Sequence, residues 1–87
     1  MIEYPLVEVH WRDAQLHHTP TAPADFERTF TLAPRVTIGR LVFEAPTHLA
    51  LASTIDEDGD VDGTWVIPRT WIESIWTINP KRTGVIK

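Results

Sequence analysis

Cysteine is absent from all 87 residues. No disulfide and no cysteine-ligated zinc can brace the chain, and cysteine usage gives no hint of a redox compartment. Long apolar runs are also missing; nothing approaches the ~20 residues a membrane-spanning helix needs. The opening Met-Ile-Glu-Tyr-Pro has neither a basic stretch nor an apolar segment, so it does not read as a secretory signal. The expectation is a cytoplasmic protein with no membrane contact, or one of the host cytoplasm if the gene is viral.

Catalytic material is scarce. The four glycines are scattered and build no phosphate loop. The two serines, Ser53 and Ser74, lie in strand-like runs without a Gly-x-Ser-x-Gly elbow. Carboxylates cluster only in an exposed stretch, where no apolar pocket would raise a pKa. His10 with Asp13 is the one pair suited to acid–base work, since a carboxylate can orient an imidazole. The chain therefore reads as a non-enzyme that calls for no cofactor. Bases are few as well: eight Lys and Arg face twelve Asp and Glu, for a net charge of -4. General nucleic-acid binding needs a basic footprint and is not expected.

What the chain does have is β-branched residues: Val, Ile and Thr number 7, 8 and 11. They suit a pleated, half-buried surface. Seven prolines break any long helix. Leu6 to Trp11 alternates as a first strand, with Val7, Val9 and Trp11 on one face and Leu6, Glu8 and His10 on the other. Residues 15–24 read as a loop. Asp25 to Thr29 fits one helical turn, entered through Pro23, with Phe26 and Phe30 four apart. Arg35 to Glu44 is a second strand; Gly39 inside it predicts a bend that lets a short sheet curl. His48 to Ile55 and Gly63 to Ile67 flank an Asp-Gly hairpin. Pro68 to Trp71 reads as a tight turn, and Ile72 to Ile78 as the last strand.

Five short strands with one short helical turn before the last predict an all-β, SH3-like or Sm-like small barrel over residues 1–80. Residues 81–87, with Lys81, Arg82 and Lys87, predict a flexible basic tail; its Val85-Ile86 pair is an alternative docking point on a neighbouring subunit.

Two clusters invite a metal. Asp58-x-Asp60-x-Asp62-Gly63 matches positions 1, 3, 5 and 6 of a calcium loop, but position 12 is Arg69 and the flanks are strand-like. The acidic run 56–62 reads as a solvated hairpin tip, with weak calcium binding as the alternative. His10, His17, His18 and His48 lack tetrahedral spacing, and adjacent His17 and His18 diverge in most backbones. No metal site is expected.

Four tryptophans, Trp11, Trp65, Trp71 and Trp76, are too many for so thin a core. Trp65 shares a face with Ile67 and is expected inside. Trp71, near Arg69, is expected at a surface. Six of the eight bases are Arg, the side chain suited to bidentate phosphate contact.

Three stretches carry a resemblance: Val-Glu-Val-His-Trp-Arg-Asp-Ala at 7–14, Val-Thr-Ile-Gly-Arg-Leu-Val at 36–42, and the run from Leu51 to Ile72 with its Asp-Glu-Asp-Gly hairpin and Ile-Pro-Arg-Thr-Trp-Ile ending. Together they resemble a group of short phage and prophage proteins with a Trp-x-Asp-Ala start and an Ile-Pro-x-x-x-Ile ending. That group often has Ser-x-Gly-Trp after Asp-Ala; here Gln15-Leu16-His17-His18-Thr19-Pro20 stands there instead. The resemblance implies a small barrel. It permits a phage-encoded, non-catalytic sponge that sequesters a nucleotide-type bacterial immune signal as an anti-defence device. In that reading a homo-oligomer holds the ligand in a groove between subunits. Arg40, Arg69 and Arg12 clamp phosphate, Trp71 or Trp11 stacks on the base, and His10 adds a hydrogen bond. The alternative is a protein–protein adaptor or inhibitor that docks on a host or virion protein through exposed Trp and Arg residues.

Overall fold

Alternation along each strand decides which side chains meet, and the register decides which strands share them. The computed structural model describes residues 3–29 and 31–79. Its elements are β1 (Leu6–Asp13), α1 (Phe26–Thr29), β2 (Ala33–Glu44), β3 (His48–Ile55), β4 (Val61–Pro68) and β5 (Ile72–Thr77). Two 3-10 turns, Pro23–Asp25 and Arg69–Trp71, precede α1 and β5. The expected Phe26–Phe30 contact and the tail 81–87 lie outside the described residues. No helix among the described residues is long and apolar enough to cross a membrane.

All five strands are antiparallel neighbours in one sheet, in the order β4-β3-β2-β1-β5. β4 and β5 do not pair, so the sheet is open and the closed barrel expected from sequence is not formed. It is strongly curled all the same. Trp11 of β1 and Trp65 of β4 stand three strands apart, about 14 Å across a flat sheet, and the register offsets them by about another 20 Å along it. Their ring centroids are 6.1 Å apart.

The concave face carries the core: Val7, Val9 and Trp11 from β1, Leu49 and Leu51 from β3, and Ile67 from β4, with Leu41 and Ile72 packed against them. Each such side chain, fully buried, stabilises by about 1.5–3 kcal/mol. Gly39 sits in the middle of β2, opposite Val7. A Cβ there would lie 3.0 Å from the Ala52 carbonyl oxygen. Glycine is what lets β2 and β3 approach this closely where the sheet folds over its core. The β2 register slips between Leu41 and Phe43, and the β1–β5 register between His10 and Trp11; both irregularities add twist.

One sequence expectation changes here. Trp65 does share the concave face with Ile67, but it is 56% exposed. β4 is an edge strand, and among the described residues no further strand covers its outer side. In β2 the inward residues are Thr37, Gly39 and Leu41, while Val36 and Ile38 face solvent on the convex side. Trp11 explains the choice of Thr37: its buried indole Nε1 needs an acceptor and donates to Thr37 Oγ1 at 2.9 Å.

Candidate binding surfaces

Trp11 is 6% exposed and rigidly held by its core packing and by Thr37. Around it stand two far more open indoles. Trp65 meets it edge to face at 60°, and Trp71 lies nearly parallel to it, 13° between planes with centroids 6.3 Å apart. Trp71 is 40% exposed. The result is an aromatic mouth at one end of the concave face, two exposed rings seated on a buried third.

The 3-10 turn that presents Trp71 is pinned from its other end. The Arg69 backbone N–H donates to Thr47 O at 2.9 Å. The Arg69 guanidinium donates through Nε to Ala45 O at 2.7 Å and through Nη2 to Glu44 Oε1 at 3.2 Å. Arg69 thus ties the β4–β5 connection to the β2–β3 turn and fixes where Trp71 points.

The other residues singled out from sequence lie elsewhere. His10, Arg12 and Arg40 alternate onto the convex face, away from Trp11. His10 Nε2 bonds Glu8 Oε2 at 2.7 Å. Arg12 pairs with Glu73 and reaches Leu32 O. Arg40 pairs in register with Leu6, six residues from Arg12 along the ladder, or about 20 Å. It donates to Tyr4 O at 3.1 Å and lines an open cleft of about 650 Å³ with Tyr4, Leu6, Thr77 and Asn79. One chain therefore brings Trp11, Trp71 and Arg69 to one region. It does not bring Arg12, Arg40 and Arg69 around a single phosphate, and each of the three guanidiniums already has a partner within the chain.

The convex face holds a second apolar surface: its Trp76 is one of the exposed tryptophans of the adaptor reading, while Val36 and Ile38 were not singled out from sequence. The register lines up Ile38, Glu8 and Trp76 in one row and Val36, His10 and Ser74 in the next. Trp76 is 61% exposed, and its Nε1 donates to Ser74 Oγ at 3.1 Å. Its signal in the sequence is the even alternation of β2, whose Val36 and Ile38 are as apolar as the set that turns inward.

The acidic hairpin is organised by its own backbone. Asp56 Oδ1 accepts from both the Asp58 and Asp60 N–H groups at 2.9 Å, and Gly59 takes the positive φ of 90° that the turn requires. Among the described residues no three His, Asp or Glu side chains are grouped to hold a metal. In the loop after β1, His17 Nε2 bonds Gln15 Oε1 at 2.6 Å beside a shallow pocket that Thr19, Thr21 and Phe26 also line. Comparison with family models, with curated proteins and with solved structures gives no match.

Proposed function

We propose that this chain is a non-catalytic binding protein whose partner is another protein, seated on the Trp65–Trp71 mouth. The observation that carries the reading is the pair of exposed indoles fixed on buried Trp11. Rigid aromatic anchors give large contact area at low entropic cost and dominate the energetics of protein interfaces. The five carboxylates at 56–62 lie on the turn leading into β4 and favour a basic or neutral partner over an anionic one. The strand order and curl suit an SH3-like small barrel, and we place the chain in that architecture as part of the same reading.

The test is capture from a bacterial lysate by wild-type protein and by a Trp65→Ser/Trp71→Ala variant with unchanged far-ultraviolet circular dichroism. The reading expects one partner retained by the first and lost by the second. Identical captures with both proteins would overturn it.

One observation favours a second reading. Trp71 lies two residues after Arg69, and an indole with a guanidinium is the pairing that suits a base and its phosphate once Arg69 leaves Ala45 O and Glu44. On that reading the chain is the phage-encoded sponge for a nucleotide-type immune signal, with Arg40 and Arg12 supplied by another subunit. A thermal-shift screen with cyclic and linear nucleotides separates the two. A ligand at a hundred times its Kd stabilises by about 2.7 kcal/mol, a rise that is easily seen. A flat screen rejects the second reading.

A further inference from the structure

We propose that β5 pairs with β5 of a second copy of this chain, antiparallel about a two-fold axis, joining two sheets into one continuous sheet. The proposal goes beyond the function argued above and does not use the mouth indoles.

The two edges of the sheet are built differently. β4 is guarded: Asp62 and Gly63 follow its first residue, Val61, with Gly63 at φ 62°, Pro68 closes it, and the turn before it bears most of the acidic cluster. These are devices that keep an edge from recruiting strands. β5 reads Ile-Glu-Ser-Ile-Trp-Thr; its guards, Glu73 and the register slip beside it, lie at its start and leave Ser74 to Thr77 regular.

Backbone parity shows which groups the β5 edge offers. The Ile78 N–H donates to Leu6 O at 2.9 Å, so Ile78 turns its backbone toward β1. Trp76 and Ser74 share that parity in the ladder. Ile75 and Thr77 therefore direct their N–H and C=O outward, and among the described residues nothing pairs with them. Apolar side chains flank this edge on both faces, Trp76 on the convex side and Ile75 on the concave side, and both are exposed. An added strand covers both at once.

A second copy fits better than an arbitrary strand. A two-fold axis at Ile75 makes the two Ile75 residues a hydrogen-bonded pair. Each Trp76 then faces Ser74 of the other copy, and each Thr77 faces Glu73. The bulky indole meets a small hydroxyl, and no like charges oppose.

Sedimentation equilibrium tests the pairing. The wild-type chain is expected at twice its 9.9 kDa mass. Ile75→Pro removes an outward donor at a position where an edge strand tolerates proline, and is expected at 9.9 kDa with its circular dichroism retained. A monomeric wild type at every loading concentration overturns the proposal, as does a folded Ile75→Pro dimer. Should Ile75→Pro fail to fold, Ile75→Cys decides. The paired Cα atoms would lie about 5.5 Å apart, within disulfide reach, and the native chain has no cysteine to compete. Mild oxidation is expected to give a covalent dimer with Ile75→Cys and not with Thr64→Cys on β4. The reverse pattern, or no cross-link in either, rejects the pairing.

Discussion

Gly39→Ala is a one-methyl test of how the sheet curls. The new Cβ would lie 3.0 Å from Ala52 O and 3.2 Å from Leu51 Cβ. Comfortable contact between carbon atoms begins near about 3.5 Å, so β2 and β3 must separate by a few tenths of an ångström. The obstruction is backbone and a strand-borne Cβ, neither of which can swing aside. Overpacking of this kind costs about 1–3 kcal/mol. Alanine recovers about 0.4–1 kcal/mol by restricting the unfolded chain. The net expectation is a loss of about 1–2 kcal/mol, a fall in Tm of about 5–15 °C for a domain of this size. A thermal melt followed by circular dichroism measures it. Flattening the sheet also draws Trp65 away from Trp11, so the near-ultraviolet tryptophan bands of the native protein are expected to weaken. An unchanged or higher Tm with intact tryptophan bands would refute the claim that close strand approach at Gly39 makes the curl.

Three further substitutions probe the same construction. Trp11→Phe keeps one aromatic ring but removes the buried pyrrole half and the donor to Thr37; urea unfolding is expected to show a loss of about 2–4 kcal/mol. Arg69→Lys cannot hold Ala45 O and Glu44 together through a planar fork; Tm is expected to fall modestly and Trp71 fluorescence to shift toward that of a solvated indole, while an unchanged emission maximum would show that Arg69 does not position the turn. Gly63→Ala meets two obstacles, a φ of 62° and a Cβ placed 2.0 Å from Ser53 Oγ. It is expected to cost about 1.5–3 kcal/mol, of which Ser53→Ala in the same chain restores about 0.5–1 kcal/mol, measurable as a double-mutant cycle.

Strand existence was legible in the chain because β-branched alternation is local. The run from His48 to Ile55 has the same ends in sequence and structure, and the tight turn read at Pro68 to Trp71 is the 3-10 turn Arg69–Trp71. Closure was not legible, because it depends on curvature summed over five strands and on whether β4 reaches β5. Trp65 shows the limit of alternation: parity gave its face, but only its place on an edge strand gives its exposure. Val36 and Ile38 pose the converse problem. Either face of β2 is apolar enough to turn inward, and the decision is made 26 residues away by the indole of Trp11 seeking a hydroxyl. The candidate site was legible as residue types only. Nothing local to Arg69 reveals that its fork is occupied by Ala45 O, and nothing local to Arg12 and Arg40 reveals that a strand's length divides them.

The position of β1 at the interior of the order β4-β3-β2-β1-β5 sets a timetable for folding. As the chain leaves the ribosome, residues 6–68 can assemble a four-stranded meander in which β1 is a raw, unsealed border. Only when β5 emerges does that border close, through a contact such as Arg12 with Glu73 that spans 61 positions. Closing so distant a loop adds little to the thermodynamic cost but slows the search. Until then β1, which carries Val7, Val9 and Trp11 of the core, is open to the wrong neighbour, so nascent chains halted before residue 72 are the ones most exposed to aggregation.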